Sequence, residues 1–138
     1  MRFASEQDFA TTIVRGLRRR NVALSREAPV LGRSVDLALC RHQEVHTIEL
    51  KLHDWRRALR QAIDHQLASD FSFICMPARR VTLAMREAFE ATGVGLLFYT
   101  DGDEWPFETV IEAQRSTGTW SVAYQRLRSH IHRESDAG

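Results

Sequence analysis

Residues 47–52 read TIELKL, and this stretch decides both the predicted fold and the predicted site. Side chains two positions apart on a strand point to the same face of the sheet, so Glu49 and Lys51 are predicted to project together. The three aliphatic residues that alternate with them then face the opposite way, into an apolar core. The stretch therefore predicts a core strand that carries one carboxylate and one ammonium on its polar face.

Lys51 is the single lysine of the chain, since the other 18 of the 19 basic residues are arginine. The planar guanidinium of arginine cannot replace a compact ammonium that donates to a water molecule or exchanges a proton with it. We therefore interpret Lys51 as a residue needed for its chemistry. The alternative is that Glu49 and Lys51 form an ordinary solvated pair on a sheet with one wet face.

The composition limits the class of protein. The chain has 138 residues, of which 43% are hydrophobic and 27% charged, as is typical of one soluble globular domain spanning residues 1–138. No apolar run approaches the roughly 20 residues of a membrane span, and residues 1–9 lack the apolar core of a signal peptide, so we expect a cytoplasmic protein without a membrane partner. The net charge of +1 excludes a polycation.

Hydrophobic spacing predicts a helix followed by three strands in the first part of the chain. Ser5 is the expected cap of the helix, which ends near Arg20. Gly32 marks a turn between the first two strands, and a short polar connection between the second and third predicts an antiparallel hairpin. The three strand sequences are NVALSREAPV at 21–30, SVDLALC at 34–40 and HTIELKL at 46–52.

The next helix is predicted to begin after Asp54 and to run to about Ser69. It carries an apolar stripe that should face the sheet. His65, one turn after Gln61, could approach the predicted site, but such a histidine is more often a surface or boundary residue. The stripe consists of Trp55, Leu59, Ala62, Ile63 and Leu67.

The rest of the chain alternates strands with helices. This order predicts an α/β fold with a mixed central sheet flanked by helices on both faces. The predicted elements are a strand at 70–77, a helix at 78–93, a strand at 94–100, an edge strand at 105–113 and a helix at 119–131, with a frayed tail at 132–138.

The strand before TIELKL carries a second acid, Asp36. If the hairpin aligns Asp36 with Glu49, two carboxylates and the Lys51 ammonium converge at one place. Two carboxylates a few ångströms apart repel each other unless a cation lies between them. A hard divalent ion such as Mg²⁺, or Mn²⁺ in its place, suits such a set of oxygens.

The order of these residues, VD at 35–36 and ELK at 49–51 between two helices, resembles the PD-(D/E)xK nuclease superfamily. The layout is similar to that of archaeal-type Holliday junction resolvases and restriction-endonuclease-like proteins. The resemblance covers about residues 5–100 and leaves 101–138 as a variable part. It implies an αβββαβ core, divalent-metal-dependent hydrolysis of phosphodiester bonds and, in many members, a homodimer.

The resemblance also implies roles for individual residues. Asp36 and Glu49 take the places of the metal-binding acids, Lys51 that of the lysine that activates water, and the backbone carbonyl of Leu50 that of a further metal ligand. Val35 stands where the motif has proline.

Two positions of the implied site stay open between alternatives. An acid on the first helix would be Glu6, and Glu27 on the first strand is the alternative. A glutamine on the helix after the motif would be Gln61, preferred over Gln66. For Glu6, a simple favourable interaction with the helix dipole is an equally good explanation.

DNA is the expected partner, and two copies of the chain would be needed to cut two strands. Three arginines on the helix after the motif, Arg56, Arg57 and Arg60, are predicted to contact phosphates, or else to form a solvated helix face. A catalytically inactive nucleic-acid- or protein-binding module that retains the nuclease fold is the alternative function. The net charge near zero favours this alternative.

Overall fold

The computed structural model of the chain describes residues 3–137, with only the backbone of Ala137. Helices and strands follow each other in nearly the predicted order. They are α1 (Glu6–Arg19), β1 (Ala23–Val30), β2 (Arg33–Arg41), β3 (Glu44–Leu50), α2 (Trp55–His65), a 3₁₀ turn (Gln66–Ala68), β4 (Phe71–Pro77), α3 (Leu83–Thr92), β5 (Gly95–Tyr99), β6 (Phe107–Ile111) and α4 (Ser121–Ala137).

The first three strands form two successive hairpins. Leu31 and Gly32 join β1 to β2, and His42 and Gln43 join β2 to β3. All four residues have positive φ, between 51° and 79°, as two-residue hairpin turns require. The predicted turn at Gly32 and the predicted antiparallel hairpin are therefore both confirmed.

One six-stranded sheet has the spatial order β1-β2-β3-β4-β5-β6. The pairs β3–β4 and β4–β5 are parallel. The helices α2 and α3 connect these strands and return the chain to the end of the sheet at which the previous strand began. The pair β5–β6 is antiparallel and makes β6 an edge strand, as Pro106 predicted. The α/β class and the mixed sheet flanked by helices are confirmed.

The helix α1 covers one face of the sheet. Phe9, Ile13 and Leu17 on its inner side are fully buried, and they pack against Ile48 and Leu50 of β3. Since side chains alternate along a strand, Glu49 points to the opposite face. The predicted split of the stretch TIELKL into a core face and a polar face is confirmed for β3.

The opposite face of the sheet is covered by α2, α3 and α4. The predicted inner stripe of α2 is wrong at two positions, because Ile63 and Leu67 are 38% and 43% exposed. Ala58 and His65 take inner positions instead. Ile63 is exposed because the buried residues of α2 recur at a helical spacing that centres the inner stripe away from it. Leu67 is exposed because it lies in the 3₁₀ turn beyond the end of α2.

Two helix ends differ from the prediction. The helix α3 begins at Leu83 rather than at residue 78, because the side chain of Thr82 accepts a hydrogen bond from the amide of Met85 and caps it there. The helix α4 continues through residues 132–137, which were predicted to fray. Its last turns are held by Ser135, whose hydroxyl accepts a hydrogen bond of 2.9 Å from the amide of Leu24.

Over residues 3–137, the structure contains no helix that is both long enough and apolar enough to cross a membrane.

Candidate active site

The β2–β3 hairpin brings the two predicted acids together. Leu37 pairs with Ile48, which puts Asp36 opposite Glu49 in the antiparallel register. The amide of Leu50 donates a hydrogen bond of 2.8 Å to Oδ2 of Asp36. The expectation that the hairpin aligns Asp36 with Glu49 is therefore confirmed.

Glu49 is a buried carboxyl with an unusual protonation equilibrium. It is only 3% exposed, and burial raises its pKa to about 9, with a further rise from the charge of Asp36 and from a hydrogen bond to that carboxyl. The charge of Lys51 acts in the opposite direction and lowers this pKa. Glu49 is thus protonated at neutral pH unless another cation approaches the pair of carboxyls.

His65, on the last turn of α2, lies against Glu49. Its Nδ1 atom is 3.3 Å from Oε1 of Glu49, and both side chains are 4% exposed. The geometry resembles an ion pair, but burial lowers the pKa of His65 and raises that of Glu49, so both groups favour their neutral forms. We therefore describe the contact as a neutral one. The interpretation of His65 as a surface or boundary residue is therefore wrong, and the alternative, that His65 approaches the site, is confirmed.

Lys51 lies immediately after the end of β3, and its ammonium turns toward α1. Nζ of Lys51 is 3.7 Å from Oε1 of Glu6, and the other oxygen of Glu6 accepts a hydrogen bond of 3.1 Å from the amide of Leu52. The prediction that Glu49 and Lys51 project together is therefore wrong. Glu49 contacts α2, whereas Lys51, which lies beyond the end of the strand, contacts α1. Glu6 lies beside the site as predicted, with a cation and an amide as its partners.

A cavity of about 290 Å³ opens beside these residues. Asp36, Leu50 and Lys51 line it on one side, and Glu6 of α1 lines it on another. Arg26 of β1 is the second cation in its wall, and sequence reasoning did not identify it. The cavity therefore combines acids and two cations beside Asp36 and Lys51, whereas the buried Glu49 is not among the residues that line it.

Glu27 also lines the cavity, directly opposite Asp36 in the register of the first hairpin. Its φ of 49° lies in the left-handed region, and the ladder is interrupted at this point between the pairs of Arg26 and Ala28. Such a conformation costs about 1–3 kcal/mol for a residue with a side chain and is typical of functional sites. Both candidates for the additional acid, Glu6 and Glu27, thus lie on the cavity.

The two candidate glutamines occupy different environments. Nε2 of Gln66 donates a hydrogen bond of 2.9 Å to the carbonyl of Thr92, which ties the end of α2 to the end of α3. Gln61 lies one helical turn before His65, and its carbonyl oxygen is buried without a hydrogen-bond partner in the described part of the chain. These environments favour Gln61 over Gln66 as the residue near the site.

The three predicted phosphate-contacting arginines are exposed on α2. The guanidinium of Arg56 stacks over the ring of Trp55, with 4.3 Å to the ring centroid. The walls of the cavity come from α1, β1, β2 and the end of β3. Arg56, Arg57 and Arg60 therefore form a surface separate from the cavity, and Arg26 is the arginine that the structure brings to it.

Two carboxyls are the groups at this place that would hold a divalent ion. Among residues 3–137, no three His, Cys, Asp or Glu side chains gather closely enough to hold a metal ion by themselves. Asp36 and Glu49 nevertheless supply two adjacent carboxyls, and Oε1 of Glu49 is a buried oxygen without a hydrogen-bond partner in that part of the chain. A cation beside them would offset the repulsion that raises the pKa of Glu49.

Comparison with known proteins adds a likeness of fold. No protein family matches the sequence, and no curated protein matches it either. A solved structure, the SPO1766 protein of unknown function from Silicibacter pomeroyi, is similar with a TM-score of 0.62 and 19% sequence identity. The similarity covers 99% of this chain and 92% of that protein. The two proteins share a fold, and the identity is too low to extend the likeness further.

Proposed function

We propose that the chain is a metal-dependent nuclease of the PD-(D/E)xK superfamily, with a restriction-endonuclease-like core, that hydrolyses phosphodiester bonds of DNA. The observation that carries the proposal is the adjacency of Asp36 on β2 and Glu49 on β3, with the single lysine two positions after Glu49. The element order from α1 to β4, a helix, three strands, a helix and a strand, also supports it.

Asp36 and Glu49 would hold a Mg²⁺ or Mn²⁺ ion, with the carbonyl of Leu50 as a further ligand. When bound, such an ion polarises a phosphate and acidifies a water molecule. The protein contributes two carboxyls fixed by the β2–β3 ladder and by the hydrogen bond from Leu50 to Asp36. The rigidity of this hairpin keeps the two acids in place before any substrate arrives.

Lys51 would hold the attacking water and offset the negative charge that develops on the phosphate. Its side chain is 19% exposed and its ammonium is 3.7 Å from Glu6, so the ammonium is oriented without being sealed from the cavity. An ammonium donates hydrogen bonds to a water molecule or a phosphate oxygen. Lys51 therefore combines positive charge, access to the cavity and a fixed direction.

Arg26 would contact a phosphate of the substrate. It is half-buried on β1, and it donates a long hydrogen bond of 3.5 Å to the hydroxyl of Thr11. An arginine in the wall of a cavity that also holds Lys51 and two or more acids can bind one phosphate while the acids bind the metal. The cavity lies on one side of one chain, so cleavage of both strands of a duplex would use a homodimer.

The test is cleavage of plasmid, linear, single-stranded and four-way-junction DNA in the presence of Mn²⁺, with EDTA and Lys51→Arg as controls. Lys51→Arg keeps the positive charge and changes the shape of the donor. Metal-dependent products that disappear in Lys51→Arg are the expected result, and they also identify the substrate class. Equal cutting by the wild-type protein and the variant would overturn the role of Lys51.

A binding module without catalysis is the second candidate. The net charge of +1 favours a protein partner for such a module, because free-standing DNA-binding domains are usually more basic. It predicts DNA or protein binding that is indifferent to EDTA and to Lys51→Ala. The same cleavage experiment, combined with a binding assay, separates the two functions.

A further inference from the structure

His65 of α2 touches a member of the proposed site. Its Nδ1 atom lies 3.3 Å from Oε1 of Glu49. Neither of these atoms makes a hydrogen bond to any group between residues 3 and 137. Two polar atoms that are buried side by side and have no other partner stabilise the fold only if one donates to the other.

The rest of the Glu49 carboxyl is held by a different element. Glu49 shares a side-chain hydrogen bond with Asp36 of β2, while His65 approaches from α2. The Glu49 carboxyl therefore contacts Asp36 on one side and His65 on the other, which restricts its rotation. Carboxylates that bind metals are commonly oriented by such outer partners, whose loss costs about 10–100-fold in metal affinity.

We propose that His65 is a positioning residue, which donates a hydrogen bond from Nδ1–H to Oε1 of Glu49 and so presents the Glu49 carboxylate to the divalent ion beside Asp36. This inference rests on the proposed function, since it concerns the ion site of that function. His65 does not contact the ion or the substrate in this arrangement. It acts through Glu49, and its place on a buried helix face makes its position rigid.

Two hydrogen bonds from serine hydroxyls to backbone carbonyls near the end of α2 hold His65 in place. The carbonyl of His65 accepts a hydrogen bond of 2.8 Å from the hydroxyl of Ser69, which closes the chain after α2. The hydroxyl of Ser72 on β4 donates to the carbonyl of Ala62, one turn earlier, at 2.7 Å. The end of α2 is thus fixed to the sheet on which Glu49 lies, and His65 moves with Glu49 as one unit.

Two measurements test the inference, both on the full chain freed of metal with EDTA and then dialysed. The first is Mn²⁺ affinity, measured from the electron paramagnetic resonance signal of free Mn²⁺, for the wild-type protein and for His65→Leu and His65→Asn. The amide nitrogen of asparagine lies close to the position of Nδ1 and retains a donor, whereas leucine removes it. The second is the tautomer of His65 in the metal-free protein, measured by nitrogen NMR of the imidazole.

We expect one Mn²⁺ per chain in the wild-type protein, a 10–100-fold weaker affinity in His65→Leu, recovery to within about threefold in His65→Asn, and a proton on Nδ1 of His65. Ser135→Ala is the matched control, because it removes a hydrogen bond between α4 and β1 that involves neither α2 nor Glu49, and its Mn²⁺ affinity should equal that of the wild-type protein.

Different failures identify different errors. Unchanged Mn²⁺ affinity in His65→Leu, or the same loss in His65→Asn and Ser135→Ala, overturns the positioning role and leaves the proposed nuclease standing. A wild-type protein that binds no Mn²⁺ overturns the proposed function itself. If His65→Leu does not fold, the tautomer decides, since a proton on Nε2 instead of Nδ1 contradicts donation to Glu49.

Discussion

The backbone amide of Leu50 donates a hydrogen bond to the carboxylate of Asp36, at 2.8 Å. Asp36 therefore continues the β2–β3 ladder with its side chain, beyond the last backbone pair at Leu37 and Ile48. One oxygen of Asp36 accepts this structural hydrogen bond, and the carboxylate as a whole is proposed to bind the ion. These two roles can be separated by substitution.

Asp36→Asn keeps an oxygen that accepts the hydrogen bond from Leu50 and removes the negative charge. We expect the free energy of unfolding in urea to change by less than about 1 kcal/mol, while Mn²⁺ binding and cleavage are lost. Asp36→Ala should lose both, with a destabilisation of about 1–3 kcal/mol because the amide of Leu50 loses its acceptor. Equal destabilisation by the two variants would show that the hydrogen bond is not the source of the stability.

Glu49 predicts a pH dependence of stability in the metal-free protein. Its pKa is about 9 in the folded protein, against an ordinary value of 4.5, so the folded protein binds more protons than the unfolded chain between these pH values. Stability must then fall as pH rises through this window, by at most about 1.4 kcal/mol per pH unit from this one group. Below pH 4.5 the carboxyl is protonated in both states, and the effect vanishes.

Glu49→Gln removes this titration, so the variant should gain stability relative to the wild-type protein as pH rises from 5 to 8. The measurement is urea unfolding of both proteins in EDTA at several pH values in this range. A difference between the two proteins that does not change with pH would contradict the raised pKa. Adding Mn²⁺ at pH 8 should stabilise the wild-type protein alone.

Much of this site follows from strand alternation and turn length, which are local properties of the sequence. Alternation placed Ile48 and Leu50 in the core, and the two-residue turn at His42 and Gln43 fixed the register that aligns Asp36 with Glu49. The positions that the sequence pattern did not decide depend on packing between elements that are distant in the chain. His65 is buried because of how α2 crosses β3 and β4, and no short pattern in the sequence encodes that crossing.

A signal for His65 did exist in the helical spacing. Trp55, Ala58, Ala62 and His65 recur every three or four residues, so the inner face includes the histidine once Ile63 is removed from it. The hydrophobicity of Ile63 outweighed this spacing in the prediction. Arg26 lies two positions after Leu24 on β1, so alternation places it on the sheet face that α1 covers, but the sequence prediction did not use this signal.

Glu6 can be tested as a metal ligand against its role as the partner of Lys51. Both of its oxygens already have partners, the ammonium of Lys51 and the amide of Leu52. We therefore expect Glu6→Gln to leave Mn²⁺ affinity within about threefold of the wild-type value and to lower cleavage by mispositioning Lys51. A tenfold or larger loss of Mn²⁺ affinity would instead make Glu6 a ligand, and Glu27→Gln serves as the comparison for the other candidate acid.

Arg26 and the arginines of α2 make different predictions for DNA binding. Arg26 lines the cavity, while Arg56 stacks on Trp55 at the surface of α2. Measured by fluorescence anisotropy in EDTA, which prevents cutting, Arg26→Gln should weaken binding and reduce the salt dependence by about one phosphate contact. Arg56→Gln should weaken binding only if α2 also contacts the DNA. Equal effects of the two variants would show that the DNA interface includes α2.

The end of α4 makes a prediction about stability alone. The hydroxyl of Ser135 accepts a hydrogen bond of 2.9 Å from the amide of Leu24 and lies 3.3 Å from its carbonyl, so the last turns of α4 are fastened to β1. Ser135→Ala should lower the free energy of unfolding by about 0.5–1.5 kcal/mol, because the buried strand residue Leu24 loses a partner for its amide. Ser129→Ala, at an exposed position of the same helix, is the matched control and should change stability by less than about 0.5 kcal/mol. Urea unfolding that gives the same value for both serine variants would mean that residues 132–137 contribute nothing to stability, as the predicted frayed tail implied.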